Sequence, residues 1–368
     1  MSTPEPRLAV NSASRPNLST VQSEETLLGA MEPRVLSLGG VASEKLPAFT
    51  ISTRLQDRSI LMDTDLTADE IAEVLETSAR LKALRRAGKP HGYLSGKTLG
   101  MLFQHPSTRT RVSFEAGMAQ LGGQAIFLGM NDLQLKRGET IADTAQVLSR
   151  YVDALVARVA LHTDLAELAN ASSIPVINGL TDRAHPMQAL ADLLTMQEQF
   201  GALKGLKLAY LGDGNNVASS LMLAGAAMGV SVAVATPAHL APPEDILVQA
   251  QWLAAASGAG NTVTVTTDPL AAAKDADAVY TDVHVSMGQL DGPARAVALA
   301  PYKVTREAMA VAKPTAIFMH CLPMHRDEEV AAEVADGPQS VIFDQAENRL
   351  HTHKAVLLHT LCSTPQSF

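Results

Sequence analysis

The sequence predicts an α/β chain of two domains, each a mostly parallel sheet with helices on both faces. Three observations carry that prediction. Short apolar runs of strand length alternate with amphipathic helical segments along most of the chain. The 368 residues are enough for two domains of ordinary size. One long helical segment, residues 185–199, separates two such sets of runs and joins them.

Composition narrows the function classes. Hydrophobic residues make up 46% of the chain, enough for a sizeable core. No apolar run approaches the ~20 residues of a membrane span, so no membrane partner is expected. The net charge of -9 argues against nucleic-acid binding, and the single Trp252 leaves little for base stacking. Overall charge does not exclude an anionic ligand, because it is screened beyond about 8 Å. One close Arg–phosphate pair is worth roughly 4 kcal/mol at an effective dielectric near 20, so local arginines outweigh the global sign. Cys321 and Cys362 make no disulfide framework and fit a reducing compartment. With no charged start followed by an apolar core, the expected location is cytoplasmic.

Residues 1–57 are rich in Ser, Pro, Glu and Thr without periodicity, and read as a disordered extension. Glu5, Glu24, Glu25 and Glu32 count against a transit peptide. Order is expected from near Asp63. A helix opens at Thr67, with Glu70 at the capping-box position, and closes at Gly88-Lys89-Pro90. Strands are read at 99–103, 124–128, 154–159, 175–178, 206–211, 230–235, 262–266, 278–281, 316–319 and 340–343. Helices are read at 112–121, 141–151, 185–199 and 217–228, with a further one after Glu347. Residues 290–302 lack periodicity and read as a mobile lid.

The stretch Ser107-Thr108-Arg109-Thr110-Arg111 lies between a strand and a helix. It loads two guanidiniums and three hydroxyls onto a helix N-terminus, whose free N–H groups and partial positive charge suit an anion. Arg158 ends a strand and can join it. His185 and Gln188 lie three apart on one helix face, a pair suited to a carbonyl oxygen and an amide nitrogen. Gly212-Asp213-Gly214-Asn215-Asn216 looks superficially like a dinucleotide turn. It has Val217 in place of the third glycine and no acidic residue about 20 further on, so no nicotinamide cofactor is expected. Asn215 and Asn216 suit a carboxylate instead. His320, Cys321 and His325 lack structural-zinc spacing, and no metal is expected.

The ordered set Ser107–Arg111, His185-Pro186-Met187-Gln188, Asp282 with Ser286-Met287-Gly288, His320-Cys321-Leu322-Pro323 and Glu347-Asn348-Arg349 resembles the aspartate/ornithine carbamoyltransferase family. The Ser-Met-Gly and His-Cys-Leu-Pro stretches point to its ornithine branch. The resemblance runs from about Asp63 to the end. It implies an active site in the cleft between the domains, no cofactor, and a homotrimer or multiple of trimers. It implies a carbamoyl-phosphate domain at 58–184, a linking helix at 185–200, an ornithine domain at 201–344, and a C-terminal helix at 345–368 packing back on the first domain.

Carbamoyl phosphate and L-ornithine are the implied ligands, citrulline and phosphate the implied products. Ser107, Thr108, Arg109, Thr110 and Arg158 would hold the phosphate, and His185 and Gln188 the carbamoyl group. Gln134 would reach a neighbouring subunit's site. Asn216, Asp282, Ser286 and Met287 would hold ornithine, while Cys321, Leu322 and Arg349 line the reaction centre. Arg109, His185, Cys321 and Arg349 would be catalytic, with Cys321 as a thiolate stabilised by Arg349. Gln104 stands where a Glu is common, His284 where Trp is frequent and Leu290 where Glu is common. A transferase for another amine or a modified ornithine, and a non-catalytic paralogue, are the alternatives.

Overall fold

The computed structural model of the chain describes residues 51–285 and 291–362. Order begins earlier than the sequence predicts. Ile51 and Leu55 are buried in the core, and the Asp57 N–H donates to the Thr360 carbonyl at 3.0 Å. Two isolated apolar residues in a polar stretch give no periodic signal, so only their packing partners reveal them. Residues 1–50 of the expected extension lie outside the described residues.

The first half runs α1 (Ala68–Arg86), β1 (Thr98–Phe103), α2 (Thr108–Gln120), β2 (Gln124–Gly129), α3 (Ile141–Leu148), β3 (Ala154–Arg158), α4 (His162–Ala171) and β4 (Val176–Leu180). The Thr67 hydroxyl accepts from the Glu70 N–H while the Glu70 carboxylate accepts from the Thr67 N–H, which is the capping box read from the sequence. Helix α5 (Pro186–Phe200) leads to the second half. That half contains β5 (Lys207–Leu211), α6 (Asn216–Ala227), β6 (Ser231–Ala235), α7 (Glu244–Ala256), β7 (Val263–Thr266), β8 (Ala278–Thr281) and β9 (Ile317–His320), and a C-terminal helix spans Ile342–Leu361.

Both sheets are parallel throughout. The first has the order β2-β1-β3-β4 and the second β7-β6-β5-β8-β9. Strand order therefore reverses between β1 and β3, and again between β5 and β8. At such points the loops leaving the strand ends diverge and open a crevice, the usual ligand position in open α/β sheets. Burial on both faces explains the short continuous apolar runs: every residue of β3 and of β8 is buried.

Three element expectations are corrected. Residues 340–343 are not a strand: Ser340 makes one bridge to Phe318, and Ile342 starts the C-terminal helix. Val341-Ile342-Phe343 reads like a buried run, yet Phe343 is 73% exposed. Helix α3 ends at Leu148 rather than near Tyr151, which is exposed. Part of the expected lid is a helix, Gly292–Leu299, with proline in its first turn. Its Gly-Pro-Ala composition hides the period, while residues 286–290 lie outside the described residues. Among the described residues no helix is long and apolar enough to cross a membrane.

The C-terminal helix packs against α1, α2 and α5 and buries polar side chains among them. Lys82 of α1 donates to both Glu198 carboxylate oxygens at 2.8 Å and to Asn348 Oδ1 at 2.6 Å. Asn348 Nδ2 donates to Thr195 at 3.0 Å and to Glu198 at 2.8 Å, so one polar knot ties α1, α5 and the C-terminal helix. Removing one partner of a buried pair strands the other, at about 3–5 kcal/mol. The Glu198 side chain is 27% exposed, which favours the lower end of that range. Lys82→Ala should lower unfolding stability by about 3 kcal/mol in urea titration; a loss below about 1 kcal/mol would show that the knot is solvated rather than buried.

Candidate active site

The C-terminal ends of β1 and β3 carry the residues that the sequence offers to an anion. Ser107 caps α2, its Oγ accepting from the Thr110 N–H at 3.4 Å and donating to Thr110 Oγ1 at 3.1 Å. Arg349, reaching in from the C-terminal helix, donates Nη2 to the same Thr110 Oγ1 at 2.7 Å. A hydroxyl has two acceptor lone pairs and one donor. Both lone pairs of Thr110 are engaged, which leaves its O–H to donate. Thr108 is exposed on the first turn and Arg109 is half-buried. Arg111 turns away, pairing with Glu115 at 3.0 Å and lying 3.8 Å over the Phe127 ring.

Arg158 lies opposite Phe103 in the β1–β3 register, which brings it to the same strand-end crevice. Gln104 is a structural staple there: its Oε1 accepts from the Ala160 N–H and its own N–H donates to the Arg158 carbonyl, both at 2.8 Å. Burial pushes the guanidiniums of Arg158 and Arg349 down to about 10, and neighbouring arginines push the same way. Both still carry their charge at neutral pH. The Nε atoms of Arg109, Arg158 and Arg349 are all buried without a hydrogen-bond partner. Three like charges with unpartnered donors are a costly assembly for a folded chain. They suit a ligand that is an anion with several acceptor oxygens.

His185 caps α5. Its N–H donates to Ser220 Oγ at 2.8 Å, and Ser220 donates to the buried Asp63 at 2.6 Å. Burial, reinforced by Arg349 and Arg158, holds the imidazole well below its ordinary pKa, so the ring is neutral. Its Nδ1 is buried and unpartnered. One turn on, Gln188 Nε2 donates to Asp192 Oδ1 at 2.8 Å, while Gln188 Oε1 is buried and unpartnered.

The second half supplies residues from the ends of β5, β8 and β9. Asn215 caps α6 through Oδ1 and donates Nδ2 to Asp282 Oδ2 at 2.9 Å. Asn216 instead donates to the Thr181 carbonyl of the first half. The Cys321 thiol donates to Asp282 Oδ1 at 3.0 Å, and the Val283 N–H donates to that oxygen at 2.8 Å. Burial and the Asp282 carboxylate push the Cys321 thiol well up, so it is a thiol and not the thiolate expected from the sequence. The adjacent carboxylate, invisible from local sequence, decides this.

Leu322 follows with φ +59° and a cis bond to Pro323; its N–H donates to His320 Nδ1 at 2.8 Å. His284 is buried with Nε2 unpartnered, and burial lowers its pKa. Gln134 is exposed in the turn Gln134–Arg137. Ser286 and Met287 lie outside the described residues.

Both sheet-order reversals thus feed one cleft. Arg109 and Arg158 feel the charge of Asp282 from the other half. The sequence reading missed Asp192, Tyr280 and Gln345, which bond to one another beneath Gln188. No local signal marks them, since they come from α5, β8 and the C-terminal helix.

An arginine-lined cleft at paired switch points of a two-domain α/β fold suits a small anionic ligand. Residues 58–198 match the aspartate/ornithine carbamoyltransferase carbamoyl-P binding domain, and residues 204–360 match the family's Asp/Orn binding domain. The chain belongs to the aspartate/ornithine carbamoyltransferase family. It is similar to ornithine carbamoyltransferase from Pyrococcus abyssi, with 54% identity over 304 residues, covering 82% of this chain and 95% of the relative. It is 55% identical over 306 residues to ornithine carbamoyltransferase from Symbiobacterium thermophilum, covering 83% of this chain and 98% of that one. Its fold matches the solved ornithine carbamoyltransferase from Pyrococcus furiosus with a TM-score of 0.81 and 52% identity, covering 84% of this chain and 99% of that chain.

The thiol assignment has a direct check. Iodoacetamide at pH 8 should alkylate buried Cys321 in the native protein at least ~100-fold more slowly than in the urea-unfolded chain. Comparable rates would restore the thiolate.

Proposed function

We propose that the chain transfers the carbamoyl group of carbamoyl phosphate to the side-chain amine of L-ornithine, giving L-citrulline and phosphate in arginine biosynthesis. The observation that carries this reading is the set of three guanidiniums with buried, unpartnered Nε atoms around the N-terminus of α2. One curated relative with 54% identity is named an anabolic ornithine carbamoyltransferase.

Ser107, Thr108, Arg109, Thr110 and Arg158 hold the phosphate. His185 and Gln188 hold the carbamoyl group. The carbonyl oxygen gains negative charge as the amine attacks, and preplaced donors stabilise it. The free O–H of Thr110, the guanidinium of Arg109 and the neutral His185 are the donors available. Arg109, Arg158 and the helix terminus offset the charge of the departing phosphate.

The amine must attack unprotonated. With a Lys-like pKa near 10.4 it is about 3.4 units too basic at neutral pH, roughly 4.6 kcal/mol at about 1.36 per unit. Desolvation beside arginines lowers an amine pKa and recovers part of this. The departing phosphate accepts the final proton. Asp282, held from three sides, is the acceptor for the α-amino group, with Asn216, Ser286 and Met287 completing the ornithine side. Cys321 and the Leu322 carbonyl orient the attacking amine. Attack is direct, with no covalent enzyme intermediate.

The assembly is a homotrimer or a multiple of one, with Gln134 reaching a neighbouring site. Exposed Val112, Ile126, Val147, Tyr151 and Leu161 in the first half support a subunit interface there. The reading also places the protein in the cytoplasm.

Purified protein with carbamoyl phosphate should form citrulline from ornithine and give no carbamoylated product from aspartate, N-acetylornithine or putrescine. Turnover with another amine would keep the phosphate site and shift specificity to the loop 282–290, where His284 stands. No turnover with any amine would leave a binding protein. Arg158→Gln should cut kcat/KM at least ~100-fold, about 2.7 kcal/mol. A loss under fivefold would remove Arg158 from the phosphate site.

A further inference from the structure

Building on the carbamoyl-transfer reading, we infer that Asp192 is a positioning residue of the carbamoyl-phosphate site: its carboxylate turns the Gln188 amide so that Oε1 faces the cleft as acceptor for the carbamoyl N–H. Asp192 touches neither substrate. It lies wholly buried on α5, one turn below Gln188.

Hydrogen-bond logic fixes every orientation in the chain of contacts. The His320 N–H is an obligatory donor, and it donates to Gln345 Oε1 at 2.8 Å. Gln345 must then present its amide nitrogen on the other side, and Nε2 donates to Asp192 Oδ1 at 2.7 Å. The Tyr280 hydroxyl donates to Asp192 Oδ2 at 3.1 Å. The remaining partner, Gln188 Nε2, donates to Asp192 Oδ1 at 2.8 Å. Three donors converge on the Asp192 carboxylate, two of them on Oδ1. Burial raises its pKa to about 7, and a proton taken up on Oδ2, beside the Tyr280 hydroxyl, leaves Oδ1 as the acceptor for Gln188 and Gln345, so the Gln188 amide keeps one satisfied orientation. Its Oε1 is left buried and without a partner.

The chemistry of the cleft gives that oxygen its value. Arginine offers only donors, and three of them surround the anion end. A carbamoyl group has one carbonyl oxygen to accept and two N–H bonds to donate. Donors for the oxygen are plentiful, while acceptors for the amide hydrogens are scarce. A Gln188 Oε1 without a partner inside the protein distinguishes carbamoyl phosphate from inorganic phosphate, which has no N–H to offer.

Asp192→Leu tests this, because it keeps the volume and removes the acceptor. Gln188 Nε2 then loses its buried partner, and the Gln188 amide is free to turn and present N–H to the cleft. Titration calorimetry of the full chain with each ligand, without ornithine, should show inorganic phosphate bound within about twofold of native. Carbamoyl phosphate should bind at least ~10-fold more weakly, erasing its advantage over phosphate. In Asp192→Asn the amide oxygen takes the Oδ1 position, where it accepts from both Gln188 and Gln345, and its NH2 group donates to the Tyr280 hydroxyl, so Gln188 keeps its orientation. That variant should keep carbamoyl-phosphate binding within about fivefold of native, and Asp192→Ala serves as the disruptive variant if Asp192→Leu does not fold. Equal weakening of both ligands or unchanged discrimination in the disruptive variant, or lost discrimination in Asp192→Asn, would overturn the role of Asp192. If the native chain itself binds no carbamoyl phosphate and makes no citrulline, the carbamoyl-transfer reading fails with it.

Discussion

Like charges held close together and away from most solvent are the constraint on which the rest of the structure depends. Arg109, Arg158 and Arg349 repel one another, and burial penalises each charge. A chain does not gather them for stability. Each is delivered by a separate rigid element: the first turn of α2, the end of β3, and the C-terminal helix. Those elements are held by apolar cores and by bonds such as Lys82 with Glu198 and Asn348, so the repulsion does not spread the site.

The second half balances this charge. Asp282 sits across from Arg109 and Arg158, fixed by Asn215, Cys321 and the Val283 N–H. The cleft therefore has a cationic wall and an anionic wall. One matches a phosphate and the other an ammonium group. The same carboxylate keeps Cys321 protonated, which changes the role of that residue from anion to hydrogen-bond donor.

How much of this was legible varied with the range of the interaction. Thr67 and Glu70 announce their helix because a capping box is local, four residues long. The cap of α2 was legible for the same reason, since Ser107 and Thr110 meet within one turn. Ser340–Phe343 misled because β-branched and aromatic residues serve a strand or a buried helix start equally well. Ile51 and Leu55 were missed because two apolar side chains carry no period.

The sequence by itself determined the alternation of strands and helices, the caps, and the cluster of hydroxyls and guanidiniums at the start of α2. These follow from backbone preference and hydrophobic period over a few residues. Only the tertiary structure decided which groups meet. It set Arg349 against Thr110, 239 positions apart, Cys321 against Asp282, 39 apart, and Gln345 against Asp192, 153 apart. Protonation state and amide orientation depend on such neighbours, because a buried charge or donor acts through space and not along the chain.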